Sequence, residues 1–376
     1  MKNCLRVVSI VTQMEGGGAQ AVAMRVSAQL RERGHVAETW FLYQKRPTYV
    51  GYEGVRVVLP RPPRHGGDYV RVMVGLVREL RRYRADAVIT YTHYANTLGQ
   101  IAAWLTGVRS RVASQRNPSW TYPRVAREVD RLLGSLGLYT SNVMVSRSVY
   151  KSFIDYPGRY VRCMSVIYNG IAYTRSLLSS SQVREKFSLS ANVPVVVNIG
   201  RLAHQKNHIV LLRALTLLPR VHLAIAGDGE LREELKSQAK ALGVKDQVHF
   251  LGEIAPADIP DLLAAGDLFA IPSHFEGHSN VLIEAISAGL PVISSDIPAQ
   301  AEVLKPEGEV PAGILLPPDD PHAWAEAIRQ LLENERLRAD FAASALRRSS
   351  YFTLEQMIKG YELCIRRGLN DEPHRD

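Results

Sequence analysis

P-S-H-F-E-G-H-S-N-V-L-I-E-A-I-S-A-G-L-P-V-I-S-S-D, residues 272–296, puts a strand end, a polar loop, a helix and a second strand into one segment. The apolar residues 268–271 ahead of it predict a short buried strand, and 273–280 a loop with two histidines and a glutamate. Residues 281–288 predict a helix that Gly289 stops, and 291–294 the next buried strand. Strands alternating with helices are the repeating unit of a parallel α/β sheet. Glu276 lies in the loop and Glu284 eight residues later, inside the helix. An anionic ligand resting on the helix N-terminus would be within reach of both. The same spacing alone would also fit an ordinary loop and a half-buried helix, with Glu276 capping and Glu284 in water.

Working outward, residues 194–199 form another apolar strand that ends in Gly200-Arg201-Leu202-Ala203-His204-Gln205-Lys206-Asn207. Strand 221–226 runs into Gly227-Asp228-Gly229-Glu230 and helix 231–242, and strand 248–251 into Gly252-Glu253. At the start of the chain, strand 5–12 leads through Gly16-Gly17-Gly18 to helix 19–33, an arrangement whose free amides attract phosphate. Gly16, Gly18 and Ala21 also satisfy the dinucleotide pattern G-x-G-x-x-A. That pattern wants a carboxylate at the end of the next strand, but Glu38 stands near the start of strand 36–43, which argues against NAD(P).

With these residues in view, the run E-G-H-S-N-V-L-I-E-A resembles the E-x7-E signature of the retaining GT-B-fold glycosyltransferases, and G-R-L-A-H-Q-K-N resembles their diphosphate clamp. The resemblance implies an α/β fold of two Rossmann-like doubly wound domains facing across a cleft. It implies that Glu276 holds the hydroxyls of a donor sugar, that Gly277, His278, Ser279, Asn280 and Val281 present amides to its diphosphate, and that Glu284 holds the ribose. Arg201 and Lys206 would stabilise charge on the departing diphosphate. Gly17 and Gly18 would lie beside donor and acceptor, and Gly252 would border the nucleobase. On the acceptor side, strand 86–91 delivers Thr92-His93-Tyr94, and His93 resembles a histidine of the family. Strand 110–114 leads to Arg116 and Asn117 where many relatives carry a histidine, and a guanidinium there suits a phosphate. Asn169-Gly170-Ile171 resembles a family turn in which Ala172 replaces the usual Asp.

The family likeness and the loss of periodicity after residue 171 divide the chain into an acceptor-side domain at 1–171, a serine-rich linker at 172–192 and a donor-binding domain at 193–350. A final helical segment, 351–376, is expected to pack back on the first domain. At 376 residues the length suits two cores. Three scattered cysteines suggest neither a disulfide framework nor a zinc site, and no apolar run reaches the length of a spanning helix. The opening segment is too short and too soon polar for a secretory signal, so a cytoplasmic protein is expected. The formal net charge of +9 is uneven: residues 1–165 carry 25 Lys and Arg against 10 Asp and Glu, and the remainder 21 against 27. Helix 69–83, read with Val70, Val74, Val77 and Leu80 inward, carries Arg71, Arg78, Arg81 and Arg82 on its other sides, and Arg84 follows. This basic face is either simply solvated or a contact for anionic lipid at the inner face of the membrane.

The expected activity is retaining transfer of a hexosyl group from a nucleoside-diphosphate sugar, a UDP-sugar, to a glycan or lipid-linked acceptor in surface-polysaccharide assembly. No cofactor, metal or nucleic acid is expected; the chain holds no D-x-D triplet. A nucleotide-sugar epimerase or phosphorylase on the same fold, and a non-catalytic sugar-nucleotide-binding protein, are the alternatives.

Overall fold

A computed structural model describes residues 4–305, 308 and 310–370. The first three residues of the opening segment, and the last six of 351–376, lie outside them. The chain divides into two compact units, one running to Asn169 and resuming at Leu354, the other spanning Gly170–Thr353.

In the first unit the strands are β1 (Arg6–Met14), β2 (Val36–Gln44), β3 (Val55–Leu59), β4 (Ala87–Tyr91), β5 (Ser110–Gln115), β6 (Ser141–Met144) and β7 (Met164–Val166). They form a parallel sheet in the order β3-β2-β1-β4-β5-β6-β7. The connecting helices are α1 (Gly18–Glu32), α2 (Gly66–Tyr83), α3 (His93–Leu105), α4 (Arg124–Ser135) and the short α5 (Arg147–Lys151) and α6 (Gly158–Arg162). Parallel strands covered on both faces need continuous apolar runs, and β4 is buried at every residue. One face of the sheet is covered by α1, together with the last helix of the chain, which places Met357, Ile358, Tyr361, Cys364 and Ile365 against the core strands. The other face carries α2, α3 and α4, packed side by side in that order. Contrary to the sequence reading, Val70 and Val74 of α2 are exposed, whereas Leu80 is buried as read; Val72, Leu76 and Tyr83 face the sheet with it. Both stripes are apolar at helical spacing, and the bulkier one buries more area.

The second unit contains α7 (Ser180–Lys186), β8 (Val195–Ile199), α8 (His208–Leu215), β9 (His222–Ala226), α9 (Arg232–Ala241), β10 (Val248–Gly252), α10 (Ile259–Ala265) and β11 (Leu268–Ile271). It continues with α11 (Asn280–Ala288), β12 (Val292–Ser295), α12 (Pro298–Leu304), β13 (Ile314–Leu316), α13 (Pro321–Glu333) and α14 (Glu335–Ser349), and α15 (Leu354–Asn370) follows it. Its parallel sheet has the order β10-β9-β8-β11-β12-β13. Helix α7 lies in the serine-rich stretch and is opened by a capping box between Ser179 and Gln182.

In both sheets the order reverses beside the first strand, between β1 and β4 and between β8 and β11. Loops that leave neighbouring strands in opposite directions open a crevice at the carboxyl ends, where doubly wound sheets receive ligands.

Candidate active site

The switch point of the second sheet joins the two loops that the sequence singled out 70 residues apart. β8 ends in Gly200-Arg201, and β11 ends in the loop carrying Glu276. The loops are tied together: the His274 amide donates to the Gln205 carbonyl at 2.8 Å, and Gln205 Nε2 donates to the Phe275 carbonyl at 2.8 Å. Between them Lys206 Nζ donates to Glu276 Oε1 at 2.5 Å, and Ser273 Oγ donates to the same oxygen at 2.8 Å. Lys206 and Glu276 are 17% and 9% exposed, so the pair is held largely out of water. Arg201 differs: its side chain is exposed and makes no ion pair or side-chain hydrogen bond with the described residues. The loop thus offers one cation already engaged with a carboxylate and one at its rim. Two residues after Lys206, His208 is buried; desolvation, helped by the Lys206 charge, pushes its imidazole down to about 3 and keeps it neutral.

Two glycines let a third loop approach. A Cβ on Gly227, whose φ is +134°, would stand 2.0 Å from the Gly200 carbonyl oxygen, and one on Gly229 would stand 2.3 Å from that of Leu202. Gly227→Ala is therefore expected to cost more than about 2 kcal/mol and to displace the Gly200–Lys206 loop, read as a lowered Tm with weakened nucleotide binding.

Helix α11 starts immediately after the Glu276 loop. Ser279 is its N-cap, Asn280 its first residue, and Gly289 ends it in the left-handed region at φ +75°. Its first-turn amides, including that of Val281, have no partner within the helix, and the dipole favours an anion there. Glu276, His278, Ser279 and Glu284 are all buried, an unusual concentration of polar side chains at one junction. Gly277 lies in the same loop. Gly252 ends β10 at φ +75°, and its carbonyl accepts from the Gly227 amide at 2.7 Å.

The residues that the sequence reading assigned to the acceptor side lie at the carboxyl ends of the first sheet's strands. Gly17 is the N-cap of α1 and Gly18 its first residue. Thr92 has φ +76°, a strained value for a β-branched residue, and its hydroxyl meets that of Thr12 at 2.6 Å. His93, read from sequence as a strand-end residue, opens α3 and packs between Tyr94 and Tyr122, 4.2 and 5.3 Å between ring centres. Burial lowers its pKa, so the imidazole is neutral at pH 7. Arg116 Nη2 donates to Asn169 Oδ1 at 2.7 Å, and the Asn117 amide donates to the Tyr122 hydroxyl at 3.3 Å. One end of the Arg116 guanidinium is thus committed to the Asn169 turn, while its buried Nη1 has no hydrogen-bond partner among the described residues. Glu38, weighed against a dinucleotide, is bound to Trp40 and Arg56.

Sequence reasoning missed Ser273, Gln205 and Thr12, whose roles come from contacts across loops and strands and leave no local spacing. Among the described residues, no group of three His, Cys, Asp or Glu is arranged to hold a metal ion. No described helix is long and apolar enough to cross a membrane.

Comparison with known proteins agrees with this geometry. Residues 16–175 match the family model "Glycosyltransferase Family 4", and residues 179–348 match "Glycosyl transferases group 1". The lipopolysaccharide core biosynthesis glycosyltransferase LpsE of Rhizobium meliloti is 34% identical over 159 residues, 42% of this chain and 45% of that protein, so the match spans less than half of LpsE. A D-inositol 3-phosphate glycosyltransferase of Xylanimonas cellulosilytica is 26% identical, covering 90% of this chain and 88% of its own. The Escherichia coli UDP-Gal:alpha-D-GlcNAc-diphosphoundecaprenol alpha-1,3-galactosyltransferase is 28% identical, covering 71% and 72%. Among solved structures, Anabaena HepE in complex with UDP and glucose superposes with a TM-score of 0.85 at 23% identity, covering 96% of this chain and 99% of that one. With two parallel-sheet domains, each matched by its own glycosyltransferase model, the chain belongs to the GT-B glycosyltransferases.

Proposed function

We propose that this protein transfers a hexosyl group from a UDP-sugar to a hydroxyl of a glycan or lipid-linked acceptor, with retention of anomeric configuration, during assembly of a surface polysaccharide. The observation that carries this reading is the Lys206–Glu276 pair, set between the Gly200 loop and the N-terminus of α11. Support for the donor comes from HepE, solved with UDP and glucose and with UDP-glucose. Support for the acceptor comes from the Escherichia coli relative, named for a diphosphoundecaprenol substrate. A lipid-linked acceptor would bring the basic first domain to the cytoplasmic face of the membrane.

In this reading the diphosphate rests on the α11 amides of Ser279, Asn280 and Val281, and Glu284 binds the ribose. Lys206 exchanges part of its bond to Glu276 for a phosphate oxygen, and Arg201 closes from the rim. As the bond from the anomeric carbon to the diphosphate breaks, charge grows on the leaving oxygen, and these two cations with the helix N-terminus stabilise it without a metal. Glu276, steadied by Ser273, orients the sugar through its hydroxyls. The acceptor oxygen bonds to the anomeric carbon on the face the diphosphate leaves, and its proton passes to the departing phosphate. His93, Arg116 and Asn117 take the acceptor side.

The test is a thermal-shift screen of UDP-, GDP- and ADP-sugars, followed by NMR of the product formed with a lipid-diphosphate glycan acceptor. A raised Tm with UDP-sugars and an axial-to-axial or equatorial-to-equatorial product is expected. An isomerised donor in the absence of acceptor, or stabilisation without any transfer, would reject the reading.

A further inference from the structure

We infer that a row of rings at the carboxyl edge of the first sheet, Tyr122, His93, Tyr94 and Tyr69, is a saccharide platform that seats the sugars behind the reacting one, so that the protein extends an oligosaccharide rather than a single sugar. Its part in transfer rests on the reaction proposed above, whereas the glycan binding itself would stand if no sugar were transferred.

The rings come from three separate segments, and the strand order brings them together. Tyr69 lies in the first turn of α2, His93 and Tyr94 open α3, and Tyr122 follows β5. Ring centres of Tyr122 and His93 stand 5.3 Å apart, those of His93 and Tyr94 4.2 Å, and those of Tyr94 and Tyr69 6.2 Å. Tyr122 is buried and His93 half-buried, whereas Tyr94 is 45% and Tyr69 38% exposed, so the row runs from the interior out to water. The outer two rings are tilted by only 29° and offset rather than face to face, which leaves ring surface open on both. Neither of their hydroxyls has a hydrogen-bond partner among the described residues. Lone exposed aromatics are ordinary, but two that touch each other and continue a buried row are not lone.

A polar frame stands beside the outer rings. The Tyr43 hydroxyl, near the end of β2, is pushed up to about 12 by burial first and then by its neighbours Tyr69, Glu15 and Tyr94, which puts it next to the row. It donates to Gln13 Oε1 at 2.7 Å, the Gln13 amide donates to Glu15, and Glu15 accepts from Lys45 at 2.8 Å. An aromatic surface edged by fixed polar groups is what a sugar chain meets best. The C–H faces of a pyranose are apolar and faintly positive, matching the negative face of a ring, while its hydroxyls need donors and acceptors. Lys45, the cation of this frame, is already engaged by Glu15, so the frame fits a neutral glycan better than a phosphate. His93 marks the end of the row nearest the crevice beside β4, and Tyr94 and Tyr69 lead away from it. An acceptor that reaches Tyr69 already carries several sugars, and earlier glycosyl transfers must have supplied them.

The test is binding of the full-length protein, with and without UDP, to an array of bacterial surface glycans graded from mono- to hexasaccharides, with calorimetry on the glycans that bind. Affinity is expected to rise as sugars are added behind the terminal one. Tyr69→Ala and Tyr94→Ala should each weaken binding of the longer glycans about tenfold and leave monosaccharides unaffected. Tyr94→Phe, which keeps the ring, should retain most of the affinity. Trp104→Ala, also exposed but at the opposite end of α3, should change nothing. These positions are exposed, so unaltered melting curves are expected to accompany the losses. No binding to any glycan, equal binding of mono- and oligosaccharides, or full binding by both alanine variants would overturn the inference, and UDP-sugars that still raise the Tm would then leave the transferase reading standing. Glycan binding that the alanine variants lose, in a protein that no nucleotide sugar stabilises, would reject the transferase reading and keep the platform.

Discussion

Glu276→Gln is expected to lower the transfer rate by roughly a thousandfold while leaving the melting temperature within a few degrees of the wild type, on the scale of losing one preorganised catalytic interaction. Glutamine keeps the shape of the side chain and can still accept from Lys206 and Ser273, so the loop holds together. What it removes is the negative charge that offsets Lys206 and that, in the proposed mechanism, orients the sugar hydroxyls. Lys206→Met acts differently, because it strands a carboxylate that is 9% exposed. Breaking one side of such a pair costs about 3–5 kcal/mol, so this variant should lose both activity and stability. Combining the two substitutions should recover much of the stability and none of the activity. Thermal melts beside single-turnover transfer assays separate these outcomes. Activity in Glu276→Gln within tenfold of wild type would remove Glu276 from the mechanism.

Asp130→Ala should be the most damaging substitution for stability in the first domain. The carboxylate, on the inner side of α4, is 4% exposed and accepts from Gln115 Nε2 at 2.9 Å, Tyr139 at 2.8 Å and Tyr160 at 2.6 Å. Alanine removes the acceptor of the Tyr139 and Tyr160 hydroxyls, leaves Gln115 Nε2 with only the Tyr160 hydroxyl at 3.2 Å and opens a void, together costing about 3–5 kcal/mol. Asparagine keeps an acceptor and should cost much less. Burial raises the Asp130 pKa above its ordinary value, outweighing the three hydrogen bonds that lower it. A carboxyl group whose folded pKa lies above its unfolded one favours the fold fully below the unfolded value and loses that advantage as pH rises through the folded one. The stability difference between wild type and Asp130→Asn should accordingly move in favour of Asn as pH rises across that window, measured by denaturant titration at several pH values.

The strands beside the motifs were legible because a parallel strand buried on both faces is a bare apolar run. The sequence places a strand at 268–271 and a helix at 281–288; the structure has β11 at Leu268–Ile271 and α11 at Asn280–Ala288. The phase of α2 was not legible. Valines occupy both of its stripes, Val70 and Val74 on one and Val72 on the other, and only the sheet beneath decides which is covered. Nor could spacing show that Lys206 meets Glu276, since the contact depends on β8 and β11 being neighbours although two strands intervene in sequence. The same holds for Gln205 and Ser273, which look like ordinary loop residues until the loops are brought together. Arg116 was legible as a cation following β5, but its bond to Asn169 crosses 53 residues and has no local signature.

The last helix imposes an order on biosynthesis. Strands β1 to β7 leave the ribosome first, yet the surface of β5 and β6 is completed only by α15, whose Tyr361 hydroxyl meets that of Ser114 at 3.3 Å and whose Cys364 carbonyl accepts from Ser141. The intervening unit, Gly170–Thr353, is synthesised whole before that helix emerges. Nascent chains therefore carry an unfinished first core while the whole second unit is made, its apolar strand faces open to chaperones until α15 emerges.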